Sequence, residues 1–150
     1  MDKWQNYFSQ VADLTAELSY CNKLKVGAIA VKDRRIICTG YNGTLPGTDN
    51  CCEIEVKDTV TGLVTLKTKI ETEHAERNLI AHAAKHGIAL NGASLYITHS
   101  PCVQCAKAII NSGFKDVYWK HLFKTDSGLK LLQGLGVSTW CTNTSKNSLL

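Results

Sequence analysis

The stretch Leu95-Tyr96-Ile97-Thr98-His99-Ser100-Pro101-Cys102-Val103-Gln104-Cys105-Ala106-Lys107-Ala108-Ile109-Ile110 decides the fold. Leu95 to Thr98 reads as a strand, and Pro101 sits where a helix begins, since its missing N–H costs nothing in a first turn. Ala106 to Ile110 continue that helix, and Gly113 lies past its end. Working outward, Asp116 to Trp119 reads as a strand, Gly128 to Leu135 as a helix and Val137 to Cys141 as a last strand. Upstream, Glu73 to His86 reads as a helix closed by Gly87, a natural helix stop. Strands alternating with helices imply a layered α/β sheet, parallel in this half.

The first half is organised differently. Trp4, Phe8, Val11, Leu14 and Leu18 recur at three- and four-residue spacing, which predicts an amphipathic helix. Val26 to Val31 and Ile36 to Thr39 flank the charged turn Lys32-Asp33-Arg34-Arg35 and read as a hairpin. Gly40-Tyr41-Asn42-Gly43-Thr44-Leu45-Pro46-Gly47 reads as a loop from its glycine, proline and asparagine. Glu53 to Val56 and Val64 to Ile70 alternate weakly around Thr61-Gly62, as a small exposed hairpin inserted over the active site or an interface. Residues 144–150 read as a frayed tail, leaving 1–143 as one domain.

Composition narrows the function classes. A chain of 150 residues with ordinary apolar content suits one soluble domain. Met1-Asp2-Lys3-Trp4 has no apolar leader, and no apolar run is long enough to span a bilayer. The net charge of +4 leans toward anionic partners, without the basic run that nucleic acid would favour. Seven cysteines is an odd number, unlike a secreted disulfide scaffold, so a reduced, cytoplasmic setting is expected.

Chemistry concentrates in two segments, each at a helix start. Cys102 and Cys105 lie one helical turn apart, so both thiolates can reach one ion, and His74 supplies a third ligand. Three protein ligands leave a fourth zinc position for water, which separates a catalytic site from a closed structural one. Glu76, two residues beyond His74, is not needed to bind metal. A carboxylate there can take a proton from water and return it to the substrate. C-x-x-C alone is often a structural clip or redox pair, and H-x-E alone says little. Their combination, in this order, is the pattern of zinc deaminases.

Four stretches resemble the cytidine deaminase superfamily and, within it, the dCMP deaminases. They are Cys21-Asn22-Lys23-Leu24-Lys25-Val26-Gly27-Ala28, the loop Gly40 to Gly47, His74-Ala75-Glu76-Arg77-Asn78, and Tyr96 to Cys105. The resemblance implies a three-layer α/β/α fold with a central five-stranded mixed sheet. It implies zinc-dependent conversion of dCMP to dUMP and ammonia, feeding thymidylate synthesis, with action on dCTP left open. It implies one zinc per chain at His74, Cys102 and Cys105, with Glu76 catalytic. Asn42 would bond the sugar, while the Ala75 N–H and the Ser100 carbonyl read the cytosine edge. Val26 and Pro101 complete the substrate site. Many members carry an arginine at the position of Lys23 for the phosphate, so Lys23 and Lys25 take that role here. Members often have a tyrosine near Lys120 to Lys124 that helps hold the phosphate, where this chain has His121 and Phe123.

The resemblance also implies control: a hexamer activated by dCTP and inhibited by dTTP, with Mg²⁺ on the triphosphate. Asn42, Gly43, Thr44 and Gly47 are the expected effector contacts. Some phage-type members hold a second zinc through cysteines like Cys21 and Cys51 and an upstream histidine. No histidine precedes His74, so Cys21, Cys38, Cys51, Cys52 and Cys141 read as small buried or loop thiols. His82, His86 and His99 read as structural. Two other functions fit parts of the pattern: a deaminase of bases within nucleic acid, and a zinc module without turnover.

Overall fold

The computed structural model describes residues 1–143; the expected tail lies outside them. Helix α1 (Lys3–Ala16) opens the chain, capped by Asp2, whose carboxylate accepts the N–H groups of Trp4 and Gln5 while the Gln5 side chain accepts from the Asp2 N–H. That reciprocal box satisfies donors an open helix start would leave unpaired. The helix ends before Leu18, and Leu14 and Leu18 are both exposed; the inward face runs through Phe8, Ala12, Thr15 and Ala16 instead.

Strands β1 (Gly27–Lys32) and β2 (Arg35–Tyr41) form the expected hairpin, turning through Asp33 and Arg34 at φ 50° and 59°. Positive φ at both central residues matches the twist of the flanking strands. The Gly40–Gly47 segment is less irregular than it reads. Gly40 and Tyr41 finish β2, and Gly43–Thr44 (β3) pairs with Thr72–Glu73 (β6). Between them, β4 (Glu53–Lys57) and β5 (Val64–Thr68) form the inserted hairpin, exposed on both faces apart from Glu53.

Helix α2 (Ala75–His86) closes at Gly87, in the left-handed conformation at φ 68°. It is followed by β7 (Ser94–His99), α3 (Val103–Asn111), β8 (Asp116–His121), α4 (Ser127–Gly134) and β9 (Ser138–Cys141). The five-stranded sheet has the order β2-β1-β7-β8-β9. β1 runs antiparallel to β2 and β7, while β7, β8 and β9 are parallel.

The sheet is buried on both faces. Phe8 and Ala12 of α1 pack on Ile29, Val31 and Tyr96. On the other face Ala75, Leu79 and Ala83 of α2, Ala106 and Ile109 of α3 and Leu132 of α4 pack on Ala28, Ala30, Leu95, Ile97 and Val117. This is the expected three-layer arrangement. Alternation along β7 assigns Leu95 and Ile97 to one face and Tyr96 to the other, as a period of two requires.

One cysteine expectation is corrected. Cys21 and Cys52 are not thiols but a disulfide, with Cα atoms 5.1 Å apart. Their separation of 31 residues hides a proximity that only the folded insertion creates. Cys38, Cys51 and Cys141 remain free, with Cys38 buried.

Candidate active site

Two helix starts meet on the α2/α3 face of the sheet. His74 is the N-cap residue of α2, and its side chain takes no part in capping. Cys102 is the N-cap of α3, its sulfur 3.4 Å from the Cys105 N–H that donates to it. A thiolate is favoured there, since free N–H groups and the helix dipole stabilise negative charge.

The three expected ligands come together. His74 Nδ1 lies 3.6 Å from Cys102 Sγ and 3.3 Å from Cys105 Sγ. All three donor atoms fall within 4.8 Å of one another. Zinc bonds of about 2.3 Å to sulfur and 2.0–2.1 Å to nitrogen at tetrahedral angles would set N···S at roughly 3.6 Å. The donor set therefore fits zinc in chemistry and spacing. Cys105 is buried while His74 is exposed, so the cluster opens to solvent on one side.

The donors share their protons unequally. The Cys102 thiol is drawn down to about 3, first by a hydrogen bond from Cys105 and then by His74. The Cys105 thiol is pushed up by that same bond and by burial. The His74 imidazole is raised, chiefly by its bond to Cys102. Glu76 lies just behind, 4% exposed, and burial raises its carboxyl above the usual range, with its own N–H and the His74 charge pulling the other way. Glu73 accepts the His74 N–H at 2.9 Å and pairs with Arg77 at 2.8 Å, fixing the backbone that carries the ligand.

The other expected contacts fall around this centre in different states. Asn42 is already engaged: Oδ1 accepts the Val26 N–H at 2.8 Å and Nδ2 donates to the Leu24 carbonyl at 2.7 Å. An amide has two donors and two lone pairs, so one of each remains for a ligand. Ala75 is fully buried against β2, where a Cβ on Gly40 would meet the Ala75 carbonyl at 2.6 Å. Ser100 is buried, and its hydroxyl accepts the Phe123 N–H. Pro101 is fully buried beside it. Lys23 and Lys25 are exposed, with no side-chain hydrogen bond or ion pair among the described residues. Gly43 and Gly47 have open space at their Cβ positions, and Gly47 has φ +88°.

Several supports were not foreseen from sequence. Gly128 packs so closely under the Pro101–Cys102 loop that a Cβ there would lie 2.0 Å from the Pro101 carbonyl oxygen. Asn78 Nδ2 donates to the Tyr41 carbonyl at 2.8 Å, tying α2 to the strand that leads into Asn42. The buried Glu53 carboxylate accepts the N–H groups of Asn22 and Lys23 at 3.0 Å each. The Cys21–Cys52 bridge joins these same two segments. Of these, Asn78, Cys21, Asn22 and Lys23 stood inside recognisable motifs, while Gly128, Cys52 and Glu53 did not.

A family model described as the cytidine and deoxycytidylate deaminase zinc-binding region matches residues 2–121. ComE operon protein 2 of Bacillus subtilis is 39% identical over 123 residues, 81% of this chain and 61% of that protein. The deoxycytidylate deaminase of Mycobacterium phage D29 is 36% identical over 121 residues, 77% of this chain and 93% of that one. Among solved structures, the dCMP deaminase of cyanophage S-TIM5 in complex with dCMP and dUMP is similar with a TM-score of 0.80 and 35% identity. The match covers 93% of this chain and 97% of that one.

Proposed function

Because the chain belongs to the cytidine and deoxycytidylate deaminase family, we propose that it hydrolyses dCMP to dUMP and ammonia, with zinc held by His74, Cys102 and Cys105. The single observation that carries this reading is the three-donor cluster with the buried Glu76 carboxylate behind it. Similarity to phage proteins named for dCMP, one solved with dCMP and dUMP, supports the choice of substrate.

Zinc, when bound by these donors, supplies the Lewis acidity that makes water a nucleophile near neutral pH. The protein's own groups do the rest. Glu76 takes a proton from the attacking water and passes it to the pyrimidine ring nitrogen. It then moves a second proton to the leaving amine as the exocyclic C–N bond breaks. Burial suits that exchange, because it holds the carboxyl nearer neutral pH than an exposed glutamate. The Ala75 N–H and the Ser100 carbonyl hold the cytosine edge between Val26 and Pro101. Asn42 holds the sugar with its remaining donor and lone pair, and Lys23 and Lys25 draw in the 5′-phosphate.

The same reading includes control by dCTP and dTTP with Mg²⁺, contacting Asn42, Gly43, Thr44 and Gly47, in a hexamer located in the cytoplasm. The open backbone at Gly43 and Gly47 supports close approach of a phosphate. The inserted hairpin supports assembly. It exposes Ile54, Val56, Val64 and Leu66 on two strands that gain little as an isolated pair. No described helix is long and apolar enough to cross a membrane.

A panel of dCMP, deoxycytidine, dCTP and a cytosine-bearing oligonucleotide, followed by ultraviolet absorbance, tests the substrate. dCMP should be converted with the highest kcat/KM. Conversion of the oligonucleotide but not dCMP would overturn the reading.

A further inference from the structure

The exposed side of α2 carries two imidazoles that neither the core nor the chemistry above uses. His82 and His86 are four residues apart in Ala75–His86, so they are neighbours on one side of the helix. Both are exposed, while the inward face runs through Ala75, Leu79 and Ala83. Among the described residues neither histidine makes a hydrogen bond or an ion pair. Their rings instead meet each other, with centres 4.3 Å apart at 42°. Each neutral ring therefore keeps a nitrogen lone pair that the fold does not use.

That spacing has a chemical reading. Histidines at i and i+4 let a helix grip one metal ion from two successive turns. Metal–nitrogen bonds of about 2.0–2.1 Å put each ring centre roughly 3.2 Å from the ion, so two imidazoles on one ion have centres about 4.5 Å apart at right-angle positions and about 5.2 Å apart at tetrahedral ones. The observed 4.3 Å lies by the right-angle value. Right-angle nitrogen sites are the tetragonal geometry of Cu²⁺ and Ni²⁺, which imidazole suits and which stand high in the affinity order of divalent metals. The place on the helix agrees. His86 is the last residue of α2, where the negative end of the helix dipole favours a cation. Lys85, in the same turn, is exposed, and its flexible stem carries the ammonium into water.

We infer that His82 and His86 form a second metal site, for a tetragonal divalent ion of the copper–nickel class, with water completing the coordination. It differs in donor chemistry from the cluster of His74, Cys102 and Cys105. Soft thiolates select zinc at that cluster, while the paired imidazoles take the tetragonal ion. An ion held by His82 and His86 ties the last turns of α2 together. It binds the folded chain and not the unfolded one, so it stabilises the fold as it fills the site.

The test titrates Ni²⁺ into the zinc-loaded protein by calorimetry, with bound zinc measured afterwards and thermal melting followed with and without Ni²⁺. Ni²⁺ is the probe because, unlike Cu²⁺, it does not oxidise the free thiols of Cys51 and Cys141. Wild type should bind about one Ni²⁺ per chain, keep its zinc and melt higher with Ni²⁺ present. His82→Ala and His86→Ala should each weaken Ni²⁺ binding on the order of 100-fold, the gain from holding a second ligand on the same scaffold, and lose the rise in melting. His121→Ala, which breaks the ring pair of His99 and His121, should bind Ni²⁺ as wild type does. Wild type that binds no Ni²⁺, or that takes it up only as zinc leaves, would overturn the inference. So would binding that survives the loss of His82 and His86. Should an alanine variant melt below wild type without Ni²⁺, His82→Gln and His86→Gln keep a long polar side chain without the imidazole, and the same affinity ratio decides.

Discussion

Gly128→Ala should cost the protein its zinc without touching a ligand. A Cβ at Gly128 would sit 2.0 Å from the Pro101 oxygen, 2.9 Å from the Pro101 carbonyl carbon and 3.0 Å from the Cys102 carbonyl carbon. Ordinary contacts need about 3.5 Å, so α4 or the Pro101–Cys102 loop must move by over ~1 Å. Neither is free to do so. Ser100 is anchored by bonds to His121 and Phe123, and Leu132 of α4 is fully buried in the core. Such overpacking costs about 1–3 kcal/mol of stability. A zinc ligand tolerates about 0.2 Å of misplacement, and displaced support typically lowers metal affinity roughly 10–100-fold. Competition against a chromogenic chelator measures that affinity, and thermal melting measures stability. Gly134→Ala, also on α4 but with open space at its Cβ, is the matched control and should bind zinc as wild type does. Wild-type zinc affinity and melting in Gly128→Ala would refute the reasoning.

Glu76→Gln should retain zinc and melt no lower than wild type, since it replaces a carboxylate whose charge burial disfavours. Its turnover, followed by absorbance, should fall at least about 10²–10⁴-fold. The Cys21→Ser, Cys52→Ser double variant should lose about 3–4 kcal/mol, the chain entropy of a 31-residue closure, seen as a midpoint shift in denaturant. Acidification gives a signed test at His99, whose ring is held below its ordinary value first by burial and then by His121. The unfolded chain then binds more protons just below pH 6.5, so stability falls as pH drops through 6.5 toward the folded value. His99→Asn should flatten that slope in urea titrations run between pH 7 and pH 5.

Strongly patterned elements were legible because burial alone determines them. β7, β8 and α3 follow from apolar runs with a proline before and a glycine after the helix, and the zinc donors follow from spacing on two helix starts. Less was legible where long-range packing decides. Leu14 and Leu18 continue the three- and four-residue spacing from Phe8, yet α1 turns Ala12, Thr15 and Ala16 to the core instead, and both leucines stay exposed. Thr44 reads as loop because its partner Thr72 lies across the whole insertion. Cys21 and Cys52 meet for the same reason, and Gly128 looks like any helix residue until α4 docks on the Pro101–Cys102 loop. Asn42 stood out as a candidate sugar contact, but its bonds to Val26 and Leu24 are visible only once β2 and the preceding loop are folded together.

Release of ammonia from dCMP tests the central claim most directly, measured on protein carrying one equivalent of zinc beside Glu76→Ala at equal zinc content. The zinc-loaded protein should release one ammonia for each dUMP formed, and Glu76→Ala should release it at least about a hundredfold more slowly. Zinc-loaded protein that leaves dCMP intact, or Glu76→Ala that keeps pace with wild type, would contradict it.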